Sequence, residues 1–464
     1  MSEKERLVAQ ATAQLAEFVA ATEYRDLPDG VCERAKLITA DTIGVALRGS
    51  LESEMQKLYS RLPEGRGATV LRAGFPAADP AAAAFANATA TCFLELDEGS
   101  RPTGHPAVHV LPSTLALSQA LGKNGADFLT ALVLGYEVQA RIQWASRLRW
   151  PVHPHGNFGH VGAVAAIGKL SGWSAEQIRQ GITAAAALVM ATSWKPCLVG
   201  ATVRNAYPGL TAQTAFTVKM LIESGFTGYQ GALGETFGEI LGEDFNPAAL
   251  TDGLGQRYGV MENYFKFHAA CALNHPVLDA LASALGAAPQ QGEYPPLRAP
   301  VRPAPKAVRR VRVRVAERSL RLAVPAQANQ LSAKFSIPYA VAVYLVRGTS
   351  DPDSFRGDSL TDSRVQALAA RVEVTGDPAL SARWPAEAAA EVAVELEDGQ
   401  TLTGTCANPF GSAAAAHAPP AADLRAKFRA LTLELLTGTE QEAIWASALD
   451  LERRADMGRF PLPG

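Results

Sequence analysis

From the N-terminus to about residue 285, apolar positions recur every three or four residues, the spacing of helices that bury one face. Ala, Leu, Ile and Val follow it in residues 6–21, 31–47, 113–121, 125–145, 162–170 and 175–191, which are expected to be helical. Ser174 with Gln177 three residues on has the pattern of a capping box and marks the start of the last of these. Alanine adds helix propensity and allows close helix contacts, so this part reads as an all-helical bundle.

The period then changes. Residues 286–307 hold six prolines and little periodicity, as a linker or edge loop would. Directly afterwards residues 310–315 alternate Arg and Val, with Val311, Val313 and Val315 on one side, which predicts a half-buried strand. Further strands are expected at 371–375, 391–397 and 401–405, the last two joined by the hairpin pair Asp398-Gly399. Helices near 333–345 and 363–370 separate the first two strands, and after a low-complexity stretch at 412–422 the chain closes with helices near 423–436 and 440–449. The expected fold is therefore mainly α. A large all-helical domain is built from both chain ends (residues 1–267 and 406–464), an α+β lid domain (268–405) is inserted, and a ligand groove lies between them.

Composition narrows the functional classes. A chain of 464 residues suits two domains. With 48% apolar residues, 19% charged residues and a net charge of −3, the chain has no global attraction for nucleic acid or an anionic membrane, so any anion site must be local. The opening MSEKERLVAQ lacks the apolar core of a signal peptide, and no apolar run approaches the roughly 20 residues of a membrane helix. Cys32, Cys92, Cys197, Cys271 and Cys406 are odd in number and form no CxxC pair, which predicts a reduced cytoplasmic protein.

Seven of the eight histidines fall in three windows: His105 and His109; His153, His155 and His160; His268 and His275; only His417 stands apart. Each window interrupts the helical pattern with Gly, Pro and charged residues. Histidine exchanges protons near neutral pH, so converging histidines suggest proton transfer. The first window adds Glu95, Asp97, Glu98 and Arg101, and its apolar flanks suggest that the loop runs inward rather than into solvent. In the second, Gly156 and Gly159 permit close backbone approach. In the third, Lys266 lies among aromatics, where it needs an anionic partner or a substrate carboxylate unless its head reaches water. Arg204, Lys334 and Tyr339 are further polar groups in weakly charged stretches. There is no GxxxxGK[ST] loop, GxSxG elbow or HExxH, and Gly253, Gly255 and Gly259 do not form a dinucleotide fingerprint. Pro106 and Pro154 interrupt the histidine spacings, so no metal is expected.

These residues are joined by Asp41-Thr42-Ile43-Gly44, Ala84-Phe85-Ala86-Asn87, Gly135-Tyr136-Glu137-Val138, the run 153–170, residues 265–279, Lys334 to Tyr339, Asn408-Pro409 and Lys427-Phe428. In order and spacing the chain resembles the MmgE/PrpD family, which includes 2-methylcitrate dehydratase, cis-aconitate decarboxylase and iminodisuccinate epimerase. The resemblance implies a cofactor-free, homodimeric enzyme with Glu95, His105, His153, Lys266 and Tyr339 at the family's active-site positions. Two departures accompany it. Arg204 stands where the decarboxylase and dehydratase branches have lysine, and Gly99 where they have threonine.

The expected chemistry is removal of a proton α to a carboxylate of a di- or tricarboxylic acid. Lys266, Arg204 and His105 would bind carboxylates, His153 would be the base, and Tyr339 or Glu95 would handle the second proton. Loss of water ranks first among the outcomes. Epimerisation ranks second because of the two departures, decarboxylation is a further outcome, and an inactive carboxylate-binding homologue is the non-enzymatic alternative.

Overall fold

The computed structural model describes residues 2–326, 329–414 and 419–463, so His417 lies outside the described residues. The principal helices of the first half are α1 (Glu3–Ala21), α2 (Asp29–Gly49), α3 (Pro80–Phe93), α4 (Pro106–Ala120), α5 (Gly125–Ala145), α6 (Phe158–Leu170), α7 (Ala175–Ala187) and α8 (Tyr207–Glu223). Helix α6 lies at the centre, packed on α4, α5, α7 and α8. Small residues set that closeness: a Cβ at Gly135 of α5 would sit 2.7 Å from the Gly162 carbonyl of α6. The capping box at Ser174 is present at the head of α7.

Several helices extend or end away from the expected bounds. Helix α4 begins at Pro106 and α6 at Phe158, so His109 and His160 are helical residues rather than loop residues. Proline is well tolerated in a first helical turn, where no intrahelical N–H is needed, and this outweighs its turn-forming character. Helix α7 stops at Ala187, and the expected helix 333–345 breaks after Lys334 and restarts at Ile337, with Ser336 as the new N-cap. Helices α3 and α8 had no sequence-based counterpart. Every residue of α3 from Ala86 to Phe93 is buried, so it has no polar face to create a period.

The second part holds α9 (His275–Ala284), α10 (Ile337–Arg347) and four strands, labelled β3 (Val308–Val315), β4 (Val372–Gly376), β5 (Ala390–Leu396) and β6 (Thr401–Cys406) after the short strands β1 (Gly99–Ser100) and β2 (Asn263–Tyr264). The sheet order is β4-β3-β5-β6, with β3 parallel to β4 and the other pairs antiparallel. Val308, Val311, Val313 and Val315 are buried, while Arg309, Arg312 and Arg314 stay exposed, the alternation expected of this strand.

The closing helices, α11 (Ala421–Thr432) and α12 (Gly438–Leu449), return to pack on α2. Lys427 of α11 makes a fully buried 2.7 Å ion pair with Asp41 of α2 and donates a 3.1 Å hydrogen bond to the Leu96 carbonyl. The C-terminal segment thus reaches the loop that carries Glu95 and Asp97. A single hydrophobic cluster runs from Val8 through Val313 and Val392 to Phe460, so the helical part and the sheet share one core. Among the described residues, no helix is long and apolar enough to cross a membrane.

Candidate active site

The loop after α3 turns sharply at Glu95, the one described non-glycine residue with positive φ, at 53°. A left-handed conformation at a residue with a side chain is costly and persists only where the surroundings enforce it. Here the reward is electrostatic. The Glu95 carboxylate meets the Arg204 guanidinium and lies 3.3 Å from the Lys266 ammonium, which also lies 3.4 Å from Asp97. All four side chains are buried, so two cations and two carboxylates form a closed quartet. Burial alone would push Glu95 and Asp97 up. Arg204 and Lys266 override it at Glu95, and Lys266 with His105 at Asp97, so both carboxyls are held below their ordinary values and ionised.

Lys266 and Arg204 therefore already have partners. Arg204 also donates to Cys92 Sγ at 3.0 Å and lies over the Phe335 ring at 5.0 Å.

The histidines stand beside this quartet. His155 is stacked between His105 and His153, with ring centroids at 4.6 and 5.1 Å. Hydrogen-bond partners assign the tautomers. His105 Nδ1 donates to the Glu98 carbonyl at 2.8 Å and lies 3.1 Å from Asp97 Oδ2, which leaves Nε2 as the free ring nitrogen. His153 Nδ1 accepts the backbone N–H of His155 at 3.0 Å, so its proton resides on Nε2, a buried atom with no hydrogen-bond partner among the described residues. Burial, together with Arg204, keeps His153 neutral. A neutral ring in that tautomer is a hydrogen-bond donor, which disfavours the expected role of His153 as base.

His155 has the opposite orientation. Thr211 Oγ1 donates to the Pro208 carbonyl at 2.7 Å, His109 Nδ1 donates to Thr211 Oγ1 at 2.6 Å, and His155 Nδ1 donates to His109 Nε2 at 3.0 Å. His155 Nε2 is left with a lone pair, buried and without a hydrogen-bond partner among the described residues.

The other described histidines are held by hydrogen bonds of their own. His160 Nε2 donates to the Ala185 carbonyl at 2.6 Å, and burial pulls the ring down to about 4. His268 bridges Ser350 and Asp279 at 2.5 and 2.7 Å, and His275 donates to the Ala270 carbonyl at 3.1 Å. Tyr339 does not join the group: its hydroxyl donates to the Ser354 carbonyl at 3.0 Å and its ring packs on Phe355.

In its place the structure brings Tyr264. Gly99 of β1 pairs across from Tyr264 of β2, and a Cβ at Gly99 would lie 2.2 Å from the Tyr264 hydroxyl oxygen. The glycine is what admits the phenol. Tyr264 and His105 both line one cavity, and their rings meet edge to face at 6.4 Å. Burial pushes the Tyr264 hydroxyl well above its ordinary value, so it stays protonated.

Asp97 and His155 lie in the polar windows and Tyr264 among the aromatics beside Lys266, but the sequence assigns them no roles. Nothing in the sequence signals the tautomers.

Asp97, His105 and His155 are the one described group whose ligand atoms, within 4.8 Å of one another, could surround a metal ion. One feature weighs against treating them as ligands: the Lys266 ammonium already supplies positive charge at Asp97.

Glu98 supports His105 from below, its carboxylate accepting the Ala107 N–H at 2.6 Å and the Tyr136 hydroxyl at 2.8 Å. Burial pushes it up to about 8. The folded protein therefore retains a proton there that the unfolded chain releases near pH 4.5, so this group's contribution to stability declines as pH rises from about 4.5 to 8. Glu98→Gln is expected to melt at a temperature that gains on wild type as pH goes from 6 to 8.5. A constant difference across that range would refute the raised value.

A buried acid–base cluster beside a cavity, held by a helical scaffold joined to a small sheet, is the kind of site an enzyme uses. The chain belongs to the MmgE/PrpD family: the N-terminal domain of that family matches residues 13–241 and the C-terminal domain residues 268–453. Its relatives include cis-aconitate decarboxylase of Mus musculus, 25% identical over 97% of this chain and 92% of that protein. A cis-aconitate decarboxylase of Aspergillus terreus is 25% identical over 86% of this chain and 85% of its own length. A cis-aconitate decarboxylase-like protein of Aspergillus oryzae is 25% identical over 97% and 96%.

Proposed function

We propose that this protein is a lyase acting, without a cofactor, on a di- or tricarboxylic acid. The observation that carries this reading is the His105 ring, which faces the cavity with its Nδ1 held by Glu98 and Asp97 and its Nε2 free. Such a nitrogen can take a proton from a carbon α to a carboxylate, or return one to it. The Nε2–H of His153 is the donor assigned to the charge that develops as an enolate. Tyr264 is the hydroxyl donor for the second proton, the role first assigned to Tyr339 or Glu95; the Glu95 carboxylate is instead engaged by two cations.

The relatives' names favour loss of carbon dioxide: the carbon–carboxyl bond breaks, its electron pair passes into the remaining conjugated carboxylate, and a proton from the site ends on carbon. Loss of water, the dehydratase reaction, is the second reading. The departures at Gly99 and Arg204 keep epimerisation of an iminodisuccinate-like acid as a third.

We further read residues 1–267 and 406–464 as the helical domain, 268–405 as the lid, and the protein as a cytoplasmic homodimer. Exposed Trp150, Val203, Met220, Phe226 and Ile240 offer apolar surface for that contact.

Proton NMR in heavy water with a panel of citrate-like, aconitate-like and succinate-like acids tests the reaction. Lost carboxyl is the expected result; a new olefin marks a dehydratase and deuterium uptake with inversion an epimerase. No change across the panel would favour a carboxylate-binding protein without catalysis. Stoichiometric zinc or iron in the purified protein would overturn the metal-free reading.

A further inference from the structure

The cavity that His105 and Tyr264 line has a one-sided charge. Its lining residues include two arginines, Arg101 and Arg318, and two histidines, His105 and His275, but among the described residues that line it there is no Asp or Glu. The rest is largely apolar, with Trp194, Phe265, Trp384 and Phe410 among the walls.

The cations at and behind this cavity are not equivalent. Lys266 and Arg204 are neutralised by Glu95 and Asp97. Arg101 spends its guanidinium on the Pro385 and Ala386 carbonyls at 3.2 and 3.1 Å, on Asn408 at 2.8 Å and on Ser412 at 3.2 Å. Arg318 is different. It lies 3.8 Å over the Trp384 ring, yet its side chain makes no ion pair or hydrogen bond with any described residue, and its Nε is buried without a partner. Burial, with Arg321 nearby, draws it down to about 10, so at neutral pH it still carries its charge. A largely buried guanidinium without an acceptor is costly, and the missing acceptor is an anion.

We propose that Arg318 is the carboxylate-recognition residue of the cavity, binding in bidentate fashion a substrate carboxylate remote from the reacting carbon. Trp384 holds the guanidinium plane, and the planar fork matches a carboxylate as an ammonium cannot. The residue sits in the short helix Glu317–Leu322 that follows β3, whereas His105 heads α4. A bound polycarboxylate would therefore span the sheet-bearing part and the helical part. This deepens the lyase reading and rests on it for the identity of the ligand as substrate.

Calorimetric titration of the purified full-length protein with propane-1,2,3-tricarboxylate, a saturated acid that cannot react, tests the residue without turnover. Wild type should bind it, Arg318→Met should weaken binding roughly 10- to 100-fold, and Arg318→Lys less than Met. With a reactive acid, Arg318→Met should raise KM by a similar factor and leave kcat within a few fold. If Arg318→Met melts too low to assay, Arg318→Lys supplies the comparison, with a loss of about tenfold expected. A loss of less than twofold in a folded Met or Lys variant, or no binding by wild type at millimolar ligand, overturns the proposal. Arg318-dependent binding without turnover of any acid would support this site while refuting the lyase.

Discussion

His105→Gln is expected to lower kcat by roughly 10²- to 10⁴-fold, the span a positioned acid or base contributes. Gln retains a side-chain N–H for the Glu98 carbonyl but offers no nitrogen that can hold a proton. The melting temperature should therefore change little, and binding of an unreactive tricarboxylate should survive. The informative comparison is His153→Ala. If His153 only donates Nε2–H to developing charge, its removal costs less than removal of His105, and the variant's rate should show the same pH profile as wild type. A His105→Gln enzyme with near wild-type turnover, beside an inactive His153→Ala, would return the base role to His153 and show that the bond from the His155 amide opens in the substrate complex.

Lys266→Met is expected to destabilise the fold by about 3–5 kcal/mol at neutral pH, because it removes one partner from a buried network and leaves a carboxylate uncompensated. The direction with pH follows from Asp97, whose carboxyl lies below its ordinary 3.8 in the folded protein. In wild type that depressed value contributes stability present above about pH 4 and lost only as pH falls through the lower folded value. Without the ammonium, burial raises the Asp97 carboxyl, and the variant is relieved when acid protonates it. The gap in melting temperature between wild type and Lys266→Met should thus be widest near pH 7 and narrow toward pH 5. Adding Asp97→Asn to Lys266→Met should restore part of the loss, since the pair shares one electrostatic interaction. A pH-independent gap would mean that lost packing of the lysine stem, not charge, dominates.

The same contrast between local pattern and distant partner explains what could be read in advance. Strand β3 was legible because Arg and Val alternate, and the pleat turns that alternation into one buried and one wet face. Helix α5 (Gly125–Ala145) was legible because its apolar residues recur at helical spacing, and in the structure Asn124 caps it. Helix α3 was not, since full burial erases the polar face on which period analysis depends. Among the site residues, Glu95, His105, His153, Arg204 and Lys266 come together, from segments up to 171 residues apart. Tyr339, assigned by resemblance, hydrogen-bonds elsewhere, while Tyr264 takes a place beside His105 that Gly99 opens across a strand pair.

By itself, then, the sequence determined which stretches coil or extend, which family the chain resembles and which polar residues would be drawn inward. Those properties depend on neighbours a few positions away and on residue type. Tertiary structure decided the rest: that Lys266 and Arg204 are already paired with Glu95 and Asp97, that His153 is held as a donor and His105 with a free Nε2, and that the Arg318 guanidinium has no acceptor among the described residues. Charge compensation and tautomer depend on atoms within about 3 Å that come from remote segments, and no local pattern records which lone pair faces which proton.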